Sequence, residues 1–273
     1  MKHGRLEEAR AYEDAVAAID PADFSLIELR AKRLRGAPSA LLRLAEAALA
    51  HDPGAGHAIY YKAVALAQLG RRDDARETMA LDQFLSITAP PAPLADVAAF
   101  NETVRQEILA NPTLHADPAG HATRRGLRTG TYPQPGDRAS AELTRSIRTT
   151  IGAYAAALEG EHPFVRARPR SATFACWALV FREAGHQIAH HHPEPWLTGV
   201  YYVSAPDGTP RPGAIRIGIL PEWAGVEPPW GVRIVEPEPG TLILFPSFVP
   251  HDTVPTGSTE ERISIAFDVK SAA

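Results

Sequence analysis

A single cysteine, Cys176, stands in a chain of 273 residues, so no intrachain disulfide can form. It lies inside the apolar run Phe174-Ala-Cys-Trp-Ala-Leu-Val-Phe181, which suits a small packing residue better than a nucleophile. Long hydrophobic stretches are missing as well. No uninterrupted run approaches the ~20 residues a spanning helix needs, and Met1-Lys-His-Gly-Arg-Leu-Glu-Glu has no apolar centre for a secretion signal. A cytoplasmic protein is the expectation. Charge of one sign is not in excess: the formal net charge of −4 gives no general pull towards nucleic acid or anionic membrane. Also absent are a glycine-rich phosphate loop, a Cys-x-x-Cys pair and a nucleophile elbow around any serine.

What is present first is alanine and leucine at helical spacing. Gly4–Pro21 reads as a helix ending in Asp-Pro, and Ala40–Pro53 as a second with the same ending. The Asp-Pro pair at 20–21 recurs at 52–53, close to the period of about 34 residues of tetratricopeptide repeats. His57–Arg76 then reads as a full helix, a glycine turn and the start of the next helix. Residues 1–87 are therefore expected to form a repeat-like helical domain, serving either as a partner-binding module or as a helical cap. The proline-rich stretch Thr88–Pro93 marks the expected boundary.

Beyond it, Leu94–Leu109 and Ala139–Leu158 have helical periodicity, while residues 111–140 read as a long polar loop. Its cluster Arg124-Arg125-Gly-Leu-Arg128 is either a contact for an anionic substrate or a solvated surface. From Ala172 the texture changes to short β-type runs bounded by Pro and Gly: Phe174–Phe181, Leu197–Val203, Ala214–Ile219, Val232–Val235, Thr241–Phe245 and Ile263–Val269. Their lengths and spacing suit an antiparallel sandwich or barrel.

The chemistry concentrates in histidines. In His190-His-His192-Pro-Glu194, an extended chain puts His190 and His192 on one face and His191 on the other. Two imidazoles so placed can converge on one metal ion, and His251, after the buried strand and proline turn of Gly240–Asp252, is the third candidate. Further on, Arg262 and Ser264 share one face of the last strand, a pairing that suits a carboxylate. Tyr201 and Tyr202 alternate faces, so one of them looks inward. Trp230, in the loop Glu227-Pro-Pro-Trp-Gly231, is a candidate for the mouth of the site.

From Cys176 to Val269 the chain resembles the iron(II)/2-oxoglutarate-dependent oxygenases, and most a bacterial branch attached to tetratricopeptide repeats. The pieces that carry the resemblance are His190-His-His-Pro193, Trp196-Leu-Thr-Gly-Val-Tyr-Tyr-Val203, Glu238–Ser247 with His251, and Glu261-Arg-Ile-Ser-Ile-Ala-Phe267. The resemblance implies an α+β multidomain chain, with helical repeats followed by a double-stranded β-helix at about 170–270 inside a domain spanning 94–273. It also implies Fe(II), 2-oxoglutarate and O2 as cofactor and co-substrates. On it, His190 and His251 are metal ligands, and Arg262 and Ser264 grip the far carboxylate of 2-oxoglutarate, with Tyr201 or Tyr202 beside them. The expected reaction hydroxylates a peptide or protein side chain, or an amino-acid-like small molecule, with release of succinate and CO2. Arg128 and Trp230 are the candidate substrate contacts.

One departure stands out. The usual facial triad has two histidines and one carboxylate, yet the residue two after His190 is His192. The ligand set is then His190, His192 and His251, or, in a second register, His192-Pro-Glu194 restores a carboxylate ligand in Glu194. Two further readings stay open: a three-histidine dioxygenase that uses no 2-oxoglutarate, and a repeat-based binding protein with a degenerate barrel.

Overall fold

Helix boundaries follow from local chemistry in the computed structural model, which describes residues 27–89, 96–116, 121–208 and 210–272. The expected helix at 4–21 lies outside the described residues. Four helices come first: α1 (Ile27–Arg33), α2 (Pro38–His51), α3 (Gly56–Gln68) and α4 (Arg72–Met79). Pro38 opens α2, where a missing N–H costs nothing. Gly70 closes α3 at φ +75°, and the Arg71 N–H reaches back to the Leu66 carbonyl at 2.9 Å. Nine residues of α3 are buried, from Ala58 to Ala67, because its small alanines let α2 and α4 approach closely.

The chain divides into two compact units, Met1–Met79 with Leu220–Pro229, and Ala80–Ile219 with Trp230–Ala273. In the first, the excursion 220–229 is fastened by polar contacts. Gln68 donates to the Ala224 carbonyl at 3.0 Å, Arg76 to that of Pro229 at 3.3 Å, and the Arg35 guanidinium lies 4.8 Å over the Trp223 ring.

The second unit holds α5 (Leu81–Phe84), β1 (Ser86–Thr88), α6 (Val97–Leu109), β2 (Leu114–Ala116), β3 (Thr123–Thr129), α7 (Arg138–Ala157), α8 (Pro163–Arg166), β4 (Ala172–Gln187), β5 (Leu197–Ser204), β6 (Ile215–Ile217), β7 (Arg233–Val235), β8 (Leu242–Pro246), β9 (His251–Thr253) and β10 (Arg262–Ser271). A seven-stranded antiparallel sheet runs β1-β8-β5-β10-β4-β3-β2, and a three-stranded one runs β7-β6-β9. Asp96 caps α6 by accepting from the Ala99 N–H at 3.0 Å. Glu107 of α6 in turn accepts from Ala139 and Ser140 at the start of α7, a carboxylate at the positive end of a helix. No described helix is long and apolar enough to cross a membrane.

The segment expected as one long loop at 111–140 contains two strands. β3, Thr-Arg-Arg-Gly-Leu-Arg-Thr, carries too little apolar character to announce itself. It forms because β4 offers it a free edge, with a bulge at Arg125 (φ +54°). The opposite case is β5, buried from Leu197 to Val203. It is a central strand between β8 and β10, with Tyr201 on the α6 side, which is why it reads as a continuous apolar run.

Candidate metal centre

Strand register decides which side chains meet. In β10, Arg262 pairs with Phe181, and Ser264 with Leu179 on one side and Tyr202 on the other. Cross-strand partners share a face, so Arg262, Ser264 and Ala266 look into the space between the sheets. On the smaller sheet's side, His190 and His251 exchange backbone hydrogen bonds at 3.0 and 2.9 Å, forming a bridge that brings the two rings to 4.3 Å between centroids. His192 follows two residues on, its ring 5.1 Å from His190 and 5.3 Å from His251. One ligand atom from each of the three lies within 4.8 Å of the others.

The tautomers follow from the neighbours. The Nδ1 atoms of His190 and His251 lie 2.7 and 3.1 Å from the carbonyls of Ile188 and Val249, two residues back in each case. A carbonyl can only accept, so both Nδ1 atoms carry the proton. His192 Nδ1 lies 2.7 Å from the carboxylate of Asp268 and is a donor for the same reason. All three Nε2 atoms are left with lone pairs, as a metal ion requires. Burial is the main cause that keeps the His190 and His251 rings neutral, and their histidine neighbours disfavour charge on them further. His190 is pushed down to about 4, and His251 well below the usual histidine range.

The three imidazoles, Arg262 and Ser264 line one cavity of about 50 Å³, walled also by Trp177, Leu179 and Phe245. Within it, Arg262 Nε and Ser264 Oγ are buried without any hydrogen-bond partner. Buried orphans of this kind are costly unless something else satisfies them. The guanidinium is held from behind, 5.0 Å from the Tyr202 ring centroid and 5.6 Å from that of Phe181, with Nη2 donating to the Tyr202 hydroxyl at 3.3 Å. Gly213 (φ +86°) leaves the room: a Cβ there would come within 2.7 Å of Arg262 Cδ.

Other candidates fall elsewhere. Tyr201 is on the far face of β5 and donates to Asn101 Oδ1 at 2.8 Å. Glu194, the alternative carboxylate ligand, points outward with a side chain 75% exposed and accepts from Lys270 at 2.7 Å. Trp230 is 3% exposed and donates its indole N–H to the Gly218 carbonyl at 2.8 Å. It is a packing residue, away from the cavity lining, because that hydrogen bond pins its ring inside. Arg128 lies 4.5 Å over the Trp177 ring, one of the cavity walls, and approaches His121 at 2.7 Å. Reading the residues alone missed Asp268, although a period of two along β10 puts it on the face of Arg262, Ser264 and Ala266.

Two antiparallel sheets enclose three convergent imidazoles that could hold a metal ion, with an unsatisfied guanidinium and hydroxyl in the same cavity that could take an anionic ligand. Residues 175–268 match the family described as "Putative 2OG-Fe(II) oxygenase". Members of that family use Fe(II), 2-oxoglutarate and O2. The fold is similar to that of a Pseudomonas putida prolyl-4-hydroxylase, with 17% identity over 76% of this chain and 100% of that chain, at a TM-score of 0.52. It is also similar to a Trichoplax adhaerens prolyl hydroxylase, solved in complex with a hypoxia inducible factor peptide fragment (14% identity, 75% and 92% coverage, TM-score 0.50). AviO1 from Streptomyces viridochromogenes is a third such structure (12% identity, 74% and 96% coverage, TM-score 0.50). No curated protein sequence matches the chain.

Proposed function

We propose that the protein is an Fe(II)/2-oxoglutarate-dependent hydroxylase in which His190, His192 and His251 hold the iron through Nε2 and Arg262 and Ser264 hold the far carboxylate of 2-oxoglutarate. The observation that carries this reading is the pair of unsatisfied buried atoms, Arg262 Nε and Ser264 Oγ, in the cavity that the three histidines line. A dicarboxylate supplies the acceptors they lack. Bound iron supplies activation of O2, coupled to oxidative decarboxylation of 2-oxoglutarate to succinate and CO2 and to oxidation of a substrate C–H bond. Tyr202 and Phe181 fix the plane of the Arg262 guanidinium, and the apolar walls keep bulk water from the reacting centre.

In this reading the two sheets are a double-stranded β-helix, and α1–α4 are tetratricopeptide-type repeats of a cytoplasmic protein. The paired helices and the recurring Asp-Pro support the repeats. They offer a surface for a protein partner, and nothing in the net charge calls for nucleic acid. The substrate is a peptide or protein side chain or an amino-acid-like small molecule. A similar fold that receives a peptide supports the first. Arg128, ordered over Trp177, is the residue we place at the substrate's polar group.

Anaerobic titration of the metal-free protein with Fe(II) and then 2-oxoglutarate tests the proposal. A visible iron-to-keto-acid charge-transfer band that needs both components is the expected result. Tight iron binding with no band would instead support a three-histidine dioxygenase that does without 2-oxoglutarate. No iron binding would leave the helical repeats as the working part.

A further inference from the structure

The ligand position usually held by a carboxylate is a histidine in this chain, and of the three imidazoles His192 alone has a carboxylate behind it. The Nδ1–H of His190 and that of His251 end on peptide carbonyls, whereas that of His192 ends on Asp268 Oδ1 at 2.7 Å. We infer that Asp268 is a positioning residue that delivers, through His192, the negative charge absent from the ligand set. The inference rests on the three-histidine reading of the metal site.

The surroundings are arranged for this role. Asp268 is 8% exposed, and a buried carboxylate needs a partner. Its side-chain hydrogen bond to His192 is the one it makes among the described residues. The nearest ammonium along the strand, Lys270, is drawn away by Glu194, so it does not compete. Trp177 lies nearly parallel to the His192 ring, 14° between planes and 6.4 Å between centroids, which holds the imidazole in the plane the hydrogen bond requires. A carboxylate behind an imidazole fixes its tautomer and raises its basicity as a ligand. Here it also returns one negative charge to the site without occupying a coordination position.

Cobalt(II) titration of the metal-free full-length chain, followed by its visible absorption, reads the effect without turnover. Asp268→Asn keeps an acceptor but removes the charge; it is expected to weaken Co(II) binding about 10- to 100-fold. Asp268→Glu is expected to recover part of the loss. In a His192→Ala background, Asp268→Asn is expected to change the remaining Co(II) affinity less than twofold, because its route to the metal is gone. An Asp268→Asn protein within twofold of the wild type, or an equal loss in both backgrounds, overturns the inference. A wild-type chain that binds no Co(II) overturns the three-histidine reading and this inference with it. If Asp268→Asn does not fold, the wild-type protein still decides the matter. In its Zn(II) form, labelled with 15N-histidine, the His192 Nδ1–H resonance is expected downfield of those of His190 and His251, and coincidence of the three overturns the inference.

Discussion

The guanidinium of Arg262 leans on Tyr202 twice, once through a hydrogen bond from Nη2 to the hydroxyl at 3.3 Å and once over the ring at 5.0 Å. Tyr202 is fully buried, and burial raises its hydroxyl's pKa, so it stays a neutral acceptor. An arginine fixed on that side presents its unsatisfied Nε to the cavity. Its charge has no carboxylate partner there until a ligand brings one.

Arg262→Gln is therefore expected to raise the 2-oxoglutarate concentration required for the charge-transfer band, while Fe(II) affinity holds. Removing one partner of a buried charge pair costs about 2–5 kcal/mol, which is a rise of about 30-fold or more. Equal 2-oxoglutarate affinity in the variant would remove Arg262 from its assigned role.

Gly213→Ala tests the same pocket from the backbone. Its φ of +86° strains any Cβ, by about 1–2 kcal/mol, and the new atom would press on Arg262 Cδ. Weaker 2-oxoglutarate binding with unchanged Co(II) affinity is the expected pattern in parallel titrations. A loss of both would mean a wider collapse of the barrel.

Single alanine changes at His190, His192 or His251 are each expected to weaken metal binding so far that stoichiometric loading does not survive desalting, as measured by atomic absorption. Glu194→Ala is expected to leave loading intact and to cost less than about 1 kcal/mol of stability, the usual worth of an exposed ion pair. Loss of metal in the Glu194 variant would restore the second register.

Acid should destabilise the metal-free protein before its carboxylates titrate. His190 and His251 take up protons near pH 6.5 when unfolded but resist them when folded, His190 down to about 4. Between those values the unfolded chain holds more protons, so stability falls as pH drops, by up to about 1.4 kcal/mol per pH unit for each such histidine. Urea midpoints between pH 7.5 and 5 should show this slope, and His251→Gln should flatten it.

Trp230→Phe is expected to lower stability and leave substrate kinetics alone, since the indole N–H serves the Gly218 carbonyl inside the fold. A shift in substrate KM without a change in melting temperature would return Trp230 to the mouth of the site.

Much of this was written in the order of residues. Strand alternation put His190 with His192 and Arg262 with Ser264, because side chains on a strand repeat every two residues whatever the fold. Apolar runs marked β4, β5, β8 and β10, since strands of a sheet packed in the core bury much of their surface. Tertiary structure alone decided the rest. A side-chain hydrogen bond joined Asp268 to His192, residues far apart in the chain, and a backbone bridge brought His251 against His190. The polar β3 became a strand because β4 left an edge open to it, and Glu194 lies exposed against Lys270. Local periodicity fixes which face a side chain takes; which other face it meets depends on long-range pairing, and no window of sequence contains that.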